Sequence, residues 1–147
     1  MFASIVVGTD GSETAASALG HAVELARLHE ARLHIVSAYE PVATQGLRSQ
    51  RVEIADPEWT MRAREDVLSM LEASVRNARE AGVTRVEMFA RQGDAADAIL
   101  DVAEEQRCDL IVVGNKGMTG AKRFLLGSVP NKVSHHAPCS VLIVRTT

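Results

Sequence analysis

Short runs of apolar, mostly β-branched residues recur along the chain and constrain its fold more than any other feature. Five such runs are separated by segments with helical spacing: SIVVG, RLHIVSAYE, VTRVEMFAR, DLIVVG and SVLIVR. Near-continuous apolar strands are typical of a sheet covered on both faces, and their alternation with helices favours crossovers between parallel strands. The sequence therefore predicts an α/β fold in which helices sandwich one five-stranded parallel sheet.

The first two helical segments carry clear end signals. Ser12 or Thr14 can cap a first helix of about four turns. Asp56 and Pro57 have the character of an N-cap and a first helical residue, and the long helix that follows is expected to end at Gly82. The residues predicted for the buried face of this second helix are Val67, Leu68, Leu71, Val75 and Ala78.

The remaining segments complete the pattern of strands and helices. Asp94 is the expected cap of a third helix, and a short fourth helix is predicted from about Pro130 to His136. In the third strand, Val86, Met88 and Ala90 alternate toward one face. Residues 41–56 have no clear period, so they are expected to form a functional loop, a lid or a disordered stretch.

Composition excludes several classes of protein. A length of 147 residues suits one domain, here residues 1–147. The net charge of −3 and the aromatic content of 3% argue against a nucleic-acid surface. Without a secretory signal pattern or an apolar run of about 20 residues, a cytoplasmic protein is expected. Cys108 and Cys139 lie in no zinc or disulfide pattern, so both are expected to be small buried residues.

The stretch GNKGMTGAKRFLLGS is the strongest candidate for a ligand-binding loop. It follows the fourth predicted strand, with Gly114 and Gly117 near its start and Gly127 next to Ser128 at its end. Glycine lets backbone approach a ligand closely, and the amino end of the following helix attracts anions. Ser128 is the expected N-cap of that helix. The competing interpretation is that the glycines only turn the chain and that the serine only caps.

Asp10 belongs to a second candidate element, GTDGS, at the carboxyl end of the first strand. In open parallel sheets, ligands bind beyond the carboxyl ends of the strands where the strand order reverses. GTDGS, SAYE and the glycine loop are therefore expected to converge on one crevice. Asp10 could accept from a sugar hydroxyl or lie beside a phosphate-bound Mg²⁺, or Asp10 and Gly11 could simply form a tight turn.

The sequence does not match three better-known motifs that bind or accept a phosphate group. A P-loop requires lysine directly after its last glycine, where this chain has Ser128. GTDGS does not supply the GxGxxG dinucleotide motif. A phosphorelay receiver needs an aspartate ending the third strand, where Ala90 and Arg91 stand.

The chain resembles the universal stress proteins, in particular their ATP-binding branch. The resemblance lies in GNKGMTGAKRFLLGSVPNKV, with its Gly-x2-Gly-x9-Gly-Ser spacing, in the ending HAPCSVLIV and in the front end IVVGTDGSETAASAL. It covers essentially the whole chain and is weakest from Pro41 to Pro57. It implies a Rossmann-like, three-layer fold similar to the adenine nucleotide α-hydrolases, and the binding of ATP or a related adenine nucleotide.

The resemblance also implies roles for individual residues. Lys116, Lys122 and Arg123 could add charge near the phosphates or be ordinary surface residues. The nucleotide-binding positions it implies are Gly8, Thr9 and Asp10 in the first loop, Ala38 at the adenine edge, Val113, Gly114 and Gly117 at the ribose and α-phosphate, and Gly127, Ser128 and Val129 at the outer phosphates. Members of the family usually pair through their last strand, so Val141, Leu142, Ile143 and Val144 are expected to form a homodimer seam.

No arrangement of residues in the sequence points to enzymatic turnover. His21, His29 and His34 lie on or next to the first helix and the second strand, and His135 and His136 end the last helix, where a positive group suits the helix dipole. No paired carboxylates, serine–histidine arrangement or metal cluster stands near the glycine loop. The favoured expectation is a cytoplasmic, nucleotide-binding stress-response regulator or sensor. The alternatives are a slow ATPase, a protein that phosphorylates itself on Ser128, a cyclic AMP-binding member, or a structural dimer without nucleotide.

Overall fold

Strands and helices alternate throughout the chain, as the sequence predicts. The computed structural model describes residues 1–40, 57–115 and 126–146. The strands are β1 (Ser4–Gly8), β2 (Arg32–Tyr39), β3 (Val86–Gln92), β4 (Leu110–Gly114) and β5 (Ser140–Val144). The helices are α1 (Glu13–His29), α2 (Pro57–Glu80), α3 (Ala95–Glu105) and α4 (Ser128–His136). The aperiodic residues 41–56, including the predicted cap Asp56, lie outside the described residues.

All five strands are parallel and their order is β3-β2-β1-β4-β5. Strand β1 therefore lies at the centre, with Ser4 paired to Arg32 of β2 and Ile5 paired to Leu110 of β4. After β1 the chain builds outward to β2 and β3, and it then returns to the other side of β1. This reversal puts the switch point of the sheet between β1 and β4.

Helices cover both faces of the sheet. Ile5 and Val7 of β1 belong to a core that contains Ala18, Ala22 and Ala26 of α1 and Leu71, Val75 and Ala78 of α2. Val6 belongs to a second core with Ile99 and Val102 of α3 and Val133 of α4. Successive side chains of a strand point to opposite faces, so the three consecutive apolar residues of β1 contribute to both cores. The three-layer α/β prediction is confirmed.

Two predicted helix caps are confirmed and one is wrong. The hydroxyl oxygen of Ser12 accepts a hydrogen bond from the N–H of Ala15, and a carboxylate oxygen of Asp94 accepts one from the N–H of Asp97. Helix α4, however, begins at Ser128, and its N-cap is Gly127 with no side-chain cap bond. Ser128 is therefore the first helical residue rather than the cap, because Gly127 already has the extended backbone conformation that a cap requires.

The two cysteines behave as expected for small buried side chains. Both are free thiols, Cys108 buried and Cys139 half-buried. Burial raises the pKa of each thiol. Among the described residues, no helix is both long enough and apolar enough to cross a bilayer.

His34 is fully buried near the amino end of the sheet. Its Nε2 atom lies 3.1 Å from the hydroxyl of Ser4, while its Nδ1 atom has no hydrogen-bond partner among the described residues. Burial is the main cause that lowers the pKa of this imidazole, Arg32 lowers it further, and Glu87 opposes the shift. His34 is therefore neutral in the folded protein at neutral pH.

We expect the free energy of unfolding to fall as the pH drops below about 6.5, the ordinary pKa of histidine. Above that pH, His34 is neutral in both the folded and the unfolded protein. Below it, the imidazole binds a proton in the unfolded chain, whereas its lowered pKa in the folded protein disfavours protonation. A single such group gives a slope of at most about 1.4 kcal/mol per pH unit. Urea unfolding at several pH values from 7.5 to 5 measures this, and His34→Gln should flatten the slope.

His135→Gln is the control, because His135 is exposed near the end of α4. Equal slopes for the wild type and His34→Gln would contradict the assignment of a neutral buried His34.

Candidate functional site

A pocket of about 150 Å³ opens at the carboxyl ends of β1, β2 and β4, at the switch point of the sheet. Helices α1, α3 and α4 contribute their amino-terminal residues to its walls. The lining residues are Gly8, Thr9, Asp10, Ser12, Thr14, Ala15, Val36, Ala38, Ala95, Ile99, Val113, Gly114, Ser128, Val129 and Pro130. Hydroxyl, carboxylate and backbone groups therefore stand beside a largely apolar floor.

The loop after β1 is held by short local hydrogen bonds. The N–H of Ser12 donates to a carboxylate oxygen of Asp10 at 2.9 Å, and the N–H of Gly11 donates to the hydroxyl of Thr9 at 3.2 Å. Gly11 has φ +83, a conformation that other residues rarely adopt. The tight-turn role of Asp10 is therefore present. It is compatible with ligand contact, because Asp10 is exposed and lines the pocket.

The two ends of the glycine loop meet at the opposite wall. The main-chain N–H of Gly127 donates to the carbonyl oxygen of Asn115 at 2.9 Å. This bond brings Gly114, the last residue of β4, close to the amino end of α4. Ser128 and Val129 line the pocket there, and the N–H groups and dipole at the amino end of a helix favour an anion.

Two salt bridges connect α4 to the start of α3 beside these walls. The ammonium nitrogen of Lys132 lies 2.9 Å from a carboxylate oxygen of Asp97 and 3.2 Å from one of Asp94. The hydrogen bonds to Asp97 and Asp94 raise the pKa of Lys132. The pKa of Asp94 is lowered, first by the Asp97 N–H and then by Lys132. The salt bridges thus join α3, which carries the pocket residues Ala95 and Ile99, to α4, which carries Ser128.

The pocket brings together most of the residues predicted for the site. Gly127 is not among the lining residues but adjoins Ser128. Gly117, together with Lys116, Lys122 and Arg123, lies outside the described residues. The predicted residues that line the pocket are Gly8, Thr9, Asp10, Ala38, Val113, Gly114, Ser128 and Val129.

Sequence reasoning missed several lining residues on helix starts and the sheet floor. Ser12 and Thr14 were recognised only as possible caps, although their hydroxyls lie 3.0 Å apart at the pocket wall. Their position directly after GTDG at a strand end was the available signal. Ala15, Val36, Ala95, Ile99 and Pro130 also line the pocket, and only the packing of the elements reveals them.

Histidines and paired carboxylates, the usual groups of acid–base catalysis, do not cluster at this pocket in the described part of the chain. In the part of the chain that the structure describes, no histidine lines the pocket and Asp10 is its one carboxylate. Nor do three or more His, Cys, Asp or Glu side chains cluster anywhere in that part as metal ligands would.

Comparison with known proteins identifies the family. The model of the universal stress protein family matches residues 1–145. The chain belongs to the universal stress protein family. This universal stress protein is 38% identical to YxiE of Bacillus subtilis, over 99% of this chain and 100% of that one. It is 36% identical to a universal stress protein of Mycobacterium tuberculosis, over 99% of this chain and 98% of that one.

Solved structures with the same Rossmann-like fold include two nucleotide complexes. A crystal structure of a universal stress protein in complex with cAMP is 32% identical to this universal stress protein, with a TM-score of 0.76 and coverage of 99% and 98% of the two chains. The universal stress protein of Archaeoglobus fulgidus in complex with dAMP is 25% identical, with a TM-score of 0.68 and coverage of 97% and 98%. Nucleotide binding thus occurs within this fold and family.

Gly8 lies where the floor of the pocket meets α3. A Cβ atom added to it would lie 2.5 Å from Cδ1 and 3.0 Å from Cγ1 of Ile99. We expect Gly8→Ala to lower the free energy of unfolding by about 1–3 kcal/mol, because the Ile99 side chain must move within a packed wall. Urea unfolding measures the change.

Ile99→Val removes Cδ1 and supplies the matched test of that cause. The loss from Gly8→Ala should shrink in the Ile99→Val background, which is the non-additivity expected of residues in contact. Strictly additive losses would show that the contact with Ile99 is not what excludes a side chain at Gly8.

Proposed function

We propose that this universal stress protein binds an adenine nucleotide, with ATP favoured, in the switch-point pocket and acts as a cytoplasmic nucleotide sensor or stress-response regulator. The observation that carries the proposal is the meeting of Gly114 with the amino end of α4, closed by the Gly127–Asn115 hydrogen bond. Exposed backbone N–H groups at that end suit phosphate oxygens. The relatives solved with cAMP and dAMP support an adenine nucleotide.

The residues in each wall of the pocket suggest which part of the nucleotide that wall would contact. Asp10 is exposed at the rim and would accept hydrogen bonds from ribose hydroxyls. The backbone near Ala38, at the carboxyl end of β2, would contact the adenine edge. Gly114 would let the backbone approach the ribose and first phosphate, and the N–H groups of Ser128 and Val129 would bind the outer phosphates. In the same scheme, Gly8, Thr9 and Val113 would line the ribose side, and Gly117 and Gly127 the phosphate side.

Mg²⁺ fits this arrangement only as a companion of the phosphates. Asp10 is the one carboxylate among the described lining residues, and Mg²⁺ commonly binds through one or two carboxylates, waters and substrate phosphates. Mg²⁺ would thus screen phosphate charge beside Asp10, while the protein holds the nucleotide through backbone groups.

We expect calorimetric titration to detect binding of ATP, with ADP, AMP and cyclic AMP as parallel ligands. Asp10→Asn keeps an oxygen that can accept from the Ser12 N–H, so the turn survives while the anionic acceptor is lost. Because a hydrogen bond to a charged group contributes about 1.5–3 kcal/mol, affinity should fall roughly tenfold or more. Asp101→Ala, an exposed carboxylate of α3 that does not line the pocket, is the control and should bind normally.

Absence of binding by all four nucleotides at millimolar concentration would refute the proposed function. Tighter binding of cyclic AMP than of ATP would keep the site and overturn the ATP preference. Gly117→Glu tests the sequence-based part of the proposal, because a carboxylate placed in the glycine motif should abolish binding of a phosphate. Persistent binding and cellular effect in that variant would place the site elsewhere.

The edge strand β5 is the proposed homodimer seam. It ends the sheet next to β4, with Leu142 exposed and Val141 and Ile143 half-buried, whereas Val144 is buried within the chain. An apolar edge with unpaired backbone groups tends to pair with another chain. The seam would therefore use Val141, Leu142 and Ile143 directly, and Val144 through its backbone.

We expect Leu142→Lys to shift the protein from dimer to monomer, because it places a charge in the apolar seam. Light scattering after size-exclusion chromatography measures the mass. Glu72→Lys on the exposed face of α2 is the control. A wild-type protein that is already monomeric at micromolar concentration would overturn the proposed seam.

A further inference from the structure

Asn115 stands where β4 leaves the sheet, and its first hydrogen bond continues the sheet. Gly114 is paired with Val144 of β5, and the N–H of Asn115 donates to the carbonyl oxygen of Val144 at 2.9 Å. In a regular parallel ladder, the carbonyl of Asn115 would next accept from the N–H two residues beyond Val144, which is that of Thr146.

The side chain of Asn115 takes that place in the ladder. The N–H of Thr146 donates to Oδ1 of Asn115 at 2.8 Å, and the hydroxyl of Thr146 donates to the same oxygen at 2.9 Å. The main-chain carbonyl of Asn115 is thereby available to another donor. The N–H of Gly127 uses it, at 2.9 Å.

One residue therefore joins three segments: the end of β4, the residues after β5 and the entry to α4. The neighbours of this junction are pocket residues, because Gly114 precedes Asn115 and Ser128 follows Gly127. Among the described residues, Thr146 does not line the pocket, and its hydrogen bonds to Asn115 connect it to the site.

We infer that the Asn115 side chain, held by Thr146, is a positioning device that fixes Gly127 and the start of α4 relative to Gly114. The inference rests on the proposed function in so far as it concerns nucleotide affinity. Thr146, outside the pocket, then contributes to binding through Asn115.

The chemistry of the junction explains why a side-chain acceptor is needed. With alanine at position 115, the N–H groups of Thr146 and Gly127 compete for a single carbonyl. A part-buried N–H that loses its acceptor costs free energy, so neither donor is released without loss. If Thr146 wins, the chain extends the ladder and Gly127 loses its anchor. Aspartate keeps the acceptor oxygen and should keep the geometry.

The experiment combines nucleotide-free and nucleotide-bound measurements on the full chain. Amide hydrogen exchange, followed by NMR without nucleotide, reports the bonds of Gly127 and Thr146 directly. Asn115→Ala should speed exchange at Gly127 or Thr146, and Asn115→Asp should restore protection of both. Ser140→Ala, an exposed hydroxyl at the other end of β5, is the matched control and should change neither.

Titration with ATP then tests the consequence for the pocket. Loss of the two side-chain bonds in Asn115→Ala should weaken ATP binding about tenfold, and loss of the hydroxyl alone in Thr146→Val about threefold. The double variant Asn115→Ala/Thr146→Val should bind like Asn115→Ala, because Thr146 acts through Asn115. Additive losses, or normal affinity in both single variants, would overturn the positioning role.

Failure of the proposed function and failure of the Asn115 junction give different experimental results. A wild-type protein that binds no nucleotide refutes the proposed function, while unchanged exchange at both Gly127 and Thr146 in Asn115→Ala refutes the junction itself. If Asn115→Ala does not fold, Thr146→Val decides, because it leaves the Val144–Asn115 and Gly127–Asn115 backbone bonds in place. Unchanged exchange at Thr146 and unchanged ATP affinity in that variant would then overturn the inference.

Discussion

The pairing of β1 with strands on both of its edges is the constraint on which the rest of the structure depends. Because β2 and β4 flank β1 in parallel, the chain leaves the centre of the sheet in opposite directions. The connections after β1 and β4 must then diverge, and a crevice remains above the centre. Gly8 and Gly114 lie at this crevice because each ends a central strand. The pocket is thus a consequence of strand order.

The sequence predicts this framework well because its signals are local. Five strands, and helices capped by Ser12 and Asp94, follow from spacings of two to four residues. The sequence also indicates the family and the convergence of GTDGS with the start and end of the glycine loop, but it does not predict the order of the strands. The prediction of Ser128 as the N-cap is wrong, although serine is preferred over glycine at N-cap positions in general. The extended backbone of the preceding glycine decided the position instead.

The features that the sequence could not predict are contacts between distant residues. Lys132 reaching Asp94 and Asp97 joins positions more than thirty residues apart, as does Thr146 reaching Asn115. Each of these side chains has an ordinary surface interpretation when taken alone. The hydroxyls of Ser12 and Thr14 were similarly classed as capping groups, although the folding of β1 against β2 and β4 turns them toward the pocket. Single-sequence patterns carry no information on such meetings.

The backbone bond between Gly127 and Asn115 has a consequence for how this family can diversify. Because the N–H of Gly127 bonds directly to the carbonyl oxygen of Asn115, the entry to α4 is tied to the end of β4 by residues that lie outside positions 116–125. Sequence changes within positions 116–125 can therefore accumulate without removing the hydrogen bond that joins β4 to α4.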